Sequence, residues 1–327
     1  MRSLTYVPAA ALVAVAIAAC GSDNSSKSSA PKATSTAAKS TPAAGQITKN
    51  PQNASVSLKI GSKNFTEQKV LGEIYAQGLA AAGYNTTTDL NLGDEQTALK
   101  AVKGGQIDAY PEYTGTALLS FFNKKAADLP KDPQAAYQQA KAEFEKQSLT
   151  AFPPTPFTDS NEVAVTQATA DKLGLKNISD LSSKASTLTL YGTPECRQRM
   201  DCLLGLEKVY GLKFKKFVPV APDQRHEVLQ SGRADVSIVF TTDPQIKRNK
   251  EVLLNDDKGM FPPYNSTLVM KQATATKAGA DLPKVLDLIQ KPLTDDAMQE
   301  LDARVDIDKK QPAEVAKEYL QETGLVK

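Results

Sequence analysis

Phe152-Pro153-Pro154-Thr155-Pro156 and Pro262-Pro263-Tyr264-Asn265 interrupt an otherwise regular alternation of strand and helix patterns. Proline has no N–H to give a ladder and holds the preceding residue extended, so each run marks a break between elements. Outward from these runs the chain reads as α/β. Ser57-Leu58-Lys59-Ile60-Gly61 alternates apolar and polar positions and suits a first strand. Asn64-Phe65-Thr66-Glu67 reads as a helix start, with Val70, Leu71, Ile74, Tyr75 and Leu79 at helical spacing and Gly83 ending the element. A strand is expected over Asp89 to Leu92, and a helix from Glu95 to Val102 stopped by Gly104-Gly105. Another strand over Ile107 to Tyr110 and helices near 117–123 and 134–147 follow. After the first proline run the pattern restarts, with strands at Val163-Ala164-Val165, Leu188 to Tyr191 and Val236 to Phe240. Helices are expected near 168–174, 202–210 and 224–231, and the last fifty residues read as mostly helical. The chain is expected to leave one lobe, build a second and return. Lobe 1 is then 56–157 plus 265–327, and lobe 2 is 158–264. Two lobes joined by two crossover strands close on a ligand by hinge motion.

The N-terminal part is not fold material. Residues 1–19 read as a signal peptide, with Arg2 as the positive start and an apolar, small-residue run from Leu4 to Ala19. That run is too short and too Ala-rich for a membrane span. It ends in Ile17-Ala18-Ala19-Cys20, which resembles the lipobox at which bacterial lipoproteins are cleaved and acylated on cysteine. Two or more acyl chains give stable anchoring. Residues 20–55 hold the lipidated Cys20 and then Ser, Ala, Thr, Lys and Pro with almost nothing to bury. Such a segment is expected to be a disordered tether, reaching roughly 30 Å root-mean-square as a coil. These features place the body outside the cytoplasm, lipid-anchored on the periplasmic or outer face of the cell membrane.

Composition excludes some function classes. Lys plus Arg is 39 against 37 acidic residues, a net charge of +2, which argues against nucleic acid as a partner. With Cys20 acylated, Cys196 and Cys202 remain as an even pair, and an oxidising compartment makes a disulfide the default. The competing redox or metal pair has a five-residue gap and no nearby histidine. Catalysis finds little support. His226 is the one histidine and sits in Gln224-Arg225-His226-Glu227, which reads as a solvated helix face. There is no nucleophile elbow and no phosphate loop. Asp108 and Glu112 form a carboxylate pair, but Glu112 between Pro111 and Tyr113 suits a structural hydrogen bond equally well. Asp256-Asp257 lacks the spaced oxygen ligands of a calcium loop. No enzyme activity, cofactor or metal is expected.

Four segments carry a resemblance. Gly61-Ser62-Lys63-Asn64-Phe65-Thr66-Glu67 is one, and Ile107-Asp108-Ala109-Tyr110-Pro111-Glu112-Tyr113-Thr114-Gly115-Thr116 is the second. Asp256-Asp257-Lys258-Gly259 with Phe261-Pro262-Pro263-Tyr264-Asn265 is the third, and Arg199 through Gly211 a looser fourth. Together, and taken in their order along the chain, they resemble the substrate-binding lipoproteins of osmoprotectant ABC importers, which bind glycine betaine, proline betaine, choline or carnitine. The resemblance implies a type II periplasmic-binding-protein fold with the ligand between the lobes, a monomer, and the membrane subunits of an importer as partner. It implies a box of aromatic rings for the trimethylammonium group and basic donors for the carboxylate. Such a cation donates no conventional hydrogen bond, and aromatic faces both attract it and shield its methyls from water. A carboxylate instead suits Arg, Lys and hydroxyl donors.

Carried over to this chain, Lys63 and Thr116 match carboxylate-holding positions of the first lobe, and Tyr113 matches a box tyrosine. Asp159 matches a position whose backbone carbonyl faces the ammonium, Arg199 the basic residue completing the clamp, and Tyr264 a second box tyrosine. Asn161 and Phe240 stand where tyrosines are usual. Phenylalanine keeps the aromatic face, whereas asparagine removes a ring, so a three-sided box is expected. Asn161 also leaves open a binding lipoprotein of the same fold with a drifted small-molecule ligand; an exported α/β enzyme using His226 is the other alternative. The lipobox gives the first test. Cys20→Ser should move the protein from the membrane fraction to the soluble one, and full retention on the membrane would refute acylation at Cys20.

Overall fold

The computed structural model describes residues 45–327; the expected signal peptide, Cys20 and the tether as far as residue 44 lie outside the described residues. In chain order the strands are β1 (Ser57–Gly61), β2 (Asn85–Asp89), β3 (Ala109–Tyr113), β4 (Leu149–Ala151) and β5 (Asn161–Thr166). Then come β6 (Thr189–Gly192), β7 (Lys216–Pro219), β8 (Val236–Phe240), β9 (Glu251–Leu254) and β10 (Ser266–Lys271). They form two five-stranded sheets, ordered β2-β1-β3-β10-β4 and β7-β6-β8-β5-β9. In the first, β1 runs parallel to β2 and β3, while β10 is antiparallel to β3 and β4. The second repeats the plan, with β6 parallel to β7 and β8 and β5 antiparallel to β8 and β9. The antiparallel member of each sheet is the strand that arrives directly from a crossover.

Those crossovers are the two proline-marked runs. Thr158 bridges Asn265 between them, and the Asp159 N–H donates to the Tyr264 carbonyl at 3.2 Å. Buried Asn265 donates its side-chain amide to the carbonyls of Thr155 and Phe157 at 3.1 and 3.0 Å. The prolines therefore leave gaps in the ladder that an asparagine side chain fills, as buried backbone acceptors require.

Each sheet has its own core. In α1 (Thr66–Ala81), Val70, Leu71, Ile74, Tyr75 and Leu79 are all fully buried, at the spacing read from the sequence. They pack under the C-terminal helices, and Gln290 donates to the Tyr75 hydroxyl at 2.9 Å. Val163, Leu190, Leu206, Val236 and Leu254 centre the second core.

Several elements differ from expectation. β2 is Asn85–Asp89, not Asp89 to Leu92: it is a largely exposed edge strand, Asn-Thr-Thr-Thr-Asp, with no apolar alternation, and only the β-branched threonines favour the pleat. β3 starts two residues later and ends three residues later than expected, because Pro111, read as a stop, falls inside it. The packed body also begins earlier than residue 56. Ile47 is buried against the first core and donates its N–H to the Leu325 carbonyl at 2.9 Å, and Pro51–Ser55 is a 3-10 turn.

The second lobe contains one exacting contact. A Cβ at Gly205 would lie 1.9 Å from the Met200 carbonyl oxygen and 2.7 Å from the Met260 sulfur. Gly205→Ala should therefore force the 194–202 loop off the helix Leu203–Val209, at a cost of about 1–3 kcal/mol. Thermal unfolding should show a melting temperature lower by several degrees; an unchanged value would mean that the loop yields freely.

Candidate ligand-binding site

The parallel strands of both sheets end at a common crevice, where open α/β sheets hold ligands. Lys63 and Phe65 occupy the β1-to-α1 turn, Tyr113 ends β3, and Thr116 lies in the helical turn after it. Asp159 and Tyr264 stand on the crossovers. Asn161 opens β5, opposite Phe240 at the end of β8, and Arg199 lies in the 194–202 loop. All eight residues singled out from the sequence, Lys63, Tyr113, Thr116, Asp159, Asn161, Arg199, Phe240 and Tyr264, line this one crevice.

The aromatic wall has a member that the sequence reading did not assign. Phe65 packs between Tyr113 and Phe240, with ring centroids 6.2 and 5.3 Å away. Its place in the segment Gly61 to Glu67 was the available signal. The lining therefore holds four rings, Phe65, Tyr113, Phe240 and Tyr264. The two tyrosines are anchored through their hydroxyls, Tyr113 to Glu67 at 2.5 Å and Tyr264 to Asp201 at 2.7 Å. Burial pushes both phenols well up, so they remain neutral donors.

Each cation of the crevice already has its own carboxylate. Lys63 lies 2.6 Å from the fully buried Glu112, which also accepts the Tyr113 N–H, and its ammonium sits 4.4 Å from the Tyr113 ring centroid. Arg199 grips Asp201 through two nitrogens at 2.8 and 2.6 Å, reaches Glu95 at 3.3 Å, and points at the Thr116 hydroxyl at 3.5 Å. Arg225 pairs with both oxygens of Asp243, and its guanidinium covers Phe240 at 4.4 Å. Burial raises the Asp201 carboxyl, but the Arg199 charge outweighs it and holds the group below its ordinary range. Asp201 was not foreseen, although it stands two residues after Arg199.

Asp159 differs. Its carboxylate is buried and accepts a hydrogen bond from Thr242 at 2.9 Å, yet it has no cation within ion-pair distance among the described residues. Burial and the nearby Asp243 push its carboxyl up to about 7, against weaker pulls from Thr242, Arg225 and Lys63. Glu67 is likewise held well above the carboxylate range, by burial and by Asp159.

The structure corrects two expectations. His226 is not on a solvated face: it is 5% exposed, with Nδ1 2.8 Å from Glu251 and Nε2 2.9 Å from Asp243. The charged pattern read as surface is an internal network joining the helix Arg225–Gln230 to β9 and to the turn after β8. Asn161 is not merely a lost ring, since its amide donates to the Asp201 carbonyl at 2.9 Å and so braces the residue that holds Arg199. Cys196 and Cys202 are bonded, with Cα atoms 5.1 Å apart, and Arg199 lies inside the loop they close. Among the described residues, no group of three or more His, Cys, Asp or Glu is arranged to hold a metal ion.

Two lobes of matching topology with a crevice at the strand ends define a solute-binding protein, and comparison with known proteins agrees. The chain belongs to the family of substrate binding domains of ABC-type glycine betaine transport systems, which matches residues 56–322. It is 33% identical over 280 residues to the glycine-betaine-binding protein of Pseudomonas aeruginosa, covering 82% of this chain and 88% of that one. It is 28% identical to an ergothioneine transport permease/ergothioneine binding protein of Helicobacter pylori, covering 82% of this chain and 48% of the relative. A crystal structure of a glycine betaine/carnitine/choline ABC transporter matches with a TM-score of 0.64 at 25% identity, covering 81% of this chain and 97% of that one. The protein is thus the extracytoplasmic substrate-binding component of an ABC importer, and its relatives are binding proteins rather than enzymes.

The His226 network carries a pH signature. Burial lowers the imidazole's affinity for a proton, but the hydrogen bonds to Asp243 and Glu251 prevail and raise its pKa. A histidine raised in the folded state contributes stability that is complete below its unfolded value of about 6.5 and is lost as pH rises through the folded value. His226→Ala should destabilise the protein by roughly 3–5 kcal/mol at pH 6, with a smaller loss at pH 9. Melting temperatures of both proteins across this range check it; a difference independent of pH would mean that packing, not charge, is what His226 supplies.

Proposed function

We propose that this chain captures a quaternary-amine osmoprotectant such as glycine betaine between its lobes and delivers it to the importer's membrane subunits. The observation that carries the reading is Asp159, a buried carboxylate without a cationic partner, at a crevice lined by four aromatic rings. A permanently charged trimethylammonium group supplies the missing positive charge, and the rings cover methyls that need no hydrogen bond. Tyr113, Phe240 and Tyr264 form the cage together with Phe65, and Asp159 completes it. Arg199 and Thr116 form the carboxylate clamp together with Lys63, whose ammonium borders the cage at 4.4 Å from the Tyr113 ring. Asp201 holds Arg199 on one side, so a ligand carboxylate takes the place of Glu95, its more distant partner. Asn161, turned toward Asp201, keeps alive a second reading: the same mechanism with a larger or different cationic solute. The body works as a monomer on its tether, held at the membrane by acylated Cys20.

Titrations of the purified protein separate the two ends of the site. Tyr113→Ala or Tyr264→Ala should each weaken glycine betaine and choline alike, by up to an order of magnitude or more for a contact of about 0.5–2 kcal/mol. Arg199→Ala should cost glycine betaine roughly 2–5 kcal/mol and leave choline, which has no carboxylate, nearly unaffected. Equal losses for both ligands at Arg199 would sink the clamp, and indifference to both tyrosines would sink the cage.

Asp159 gives a pH test. The cation favours the ionised carboxyl, so affinity should rise as pH climbs through about 7 and level off above it. Because the carboxyl is raised in the folded state, folding is penalised as pH rises from the unfolded value toward 7. Asp159→Asn should therefore make the ligand-free protein more heat-stable at pH 8 while cutting cation affinity tenfold or more and flattening its pH profile. Calorimetry in parallel with thermal melts reads both effects; undiminished affinity in the variant would remove Asp159 from the site.

A further inference from the structure

Beside the ring-lined crevice lies a second cavity of about 640 Å³, whereas the crevice itself has a free volume of only about 50 Å³. The two spaces share a wall of four charged side chains, Asp94, Glu95, Glu195 and Arg199. The second cavity continues beyond that wall, between the start of α2 (Glu95–Gly104) and the segment 119–123 on one side and residues 194–208 on the other. Leu119, Met200 and Leu204 give it an apolar surface, and Ser120 and Gln198 offer neutral hydrogen-bonding groups. In the shared wall, three carboxylates face a single guanidinium that is already committed to Asp201 at two points. Among the described residues neither Asp94 nor Glu195 has an ion-pair partner; Asp94 caps α2, accepting the Thr97 N–H at 2.8 Å.

We propose that this cavity is a compartment for the tail of an extended quaternary amine, whose ammonium end sits in the cage. The inference rests on the cage reading and adds a ligand class to it: a trimethylammonium carrying a substituent of several carbons that ends in a hydrogen-bond donor or a second positive charge. A cage of small free volume next to a cavity many times larger suits a molecule with a compact head and a long tail. The methylenes gain by leaving water against Leu119, Met200 and Leu204, each worth up to about fourfold in affinity when fully covered. The unpaired carboxylates of the wall attract a donor or a cation and repel an anion. Of the two bases in the cavity's lining, Arg199 is committed to Asp201 and Lys208 is exposed to water, so a terminal carboxylate entering the cavity would face more carboxylate, at Asp94, Glu95 and Glu195, than available base.

The test is calorimetry of the purified protein with tetramethylammonium, hexyltrimethylammonium, (6-aminohexyl)trimethylammonium and 6-(trimethylammonio)hexanoate. The aminohexyl compound should bind at least tenfold more tightly than tetramethylammonium, the hexyl compound should fall between them, and the hexanoate should bind at least tenfold more weakly than the aminohexyl compound. Leu204→Trp and, independently, Ser120→Trp should fill the cavity and bring the aminohexyl compound to within about twofold of tetramethylammonium, whose own affinity stays unchanged. Tetramethylammonium binding with no gain from any tail overturns the compartment and leaves the cage standing. A gain that persists in both folded tryptophan variants also overturns it, as does a hexanoate that binds as well as the aminohexyl compound. If tetramethylammonium and all three longer compounds fail to bind, the cage reading falls and the compartment falls with it.

Discussion

A charge taken out of water must meet an opposite charge, and this requirement organises the crevice. Lys63, Arg199 and Arg225 are drawn inside, and Glu112, Asp201 and Asp243 are buried to receive them. The pairs fix more than charge. Glu112 also holds the Tyr113 N–H, Asp201 holds the Tyr264 hydroxyl, and Asp243 holds the Phe240 N–H. The same carboxylates that neutralise the bases thus set three of the aromatic residues. Asp159, buried without such a partner, is what gives the proposed site its preference for a cation.

The prolines make the two-lobed plan legible in the sequence, because a missing N–H is a covalent fact that no tertiary context alters. The helical spacing of Val70 to Leu79 was equally plain, since α1 is buried along most of its length. Most of what escaped was short or exposed. β4, β7 and β9 have three or four residues each, fewer than an alternation needs to show itself. β10 lies directly after the Pro262-Pro263 break, where the turn signal masked the strand that follows.

The site residues were brought together by resemblance rather than by spacing, since they come from both lobes and both crossovers. Their carboxylate partners were hidden for the opposite reason. Nothing local distinguishes Asp201 from the other acidic residues of the chain until the fold places Arg199 and Tyr264 on it. His226 misled because a run of charged residues has the same composition on a surface and in an internal network. Only the positions of Asp243 and Glu251 decide which it is. Phe65 was overlooked because a helix N-terminal position is ordinarily read for its capping role, not for its ring.

The pairing of the crossovers through Thr158 and Asn265 has a kinematic consequence. A hinge made of two adjacent strands turns about a line close to both, and groups on that line are displaced least when the blades swing. Asp159 and Tyr264 lie on this axle, whereas Lys63 and Arg199 ride on opposite blades. In the proposed clamshell, an incoming cation therefore finds its electrostatic anchor in place at every degree of opening. The contacts made by the blades are added only as the angle narrows. The molecule would grip its cargo from the axle outward, and on release it would let go in the reverse order.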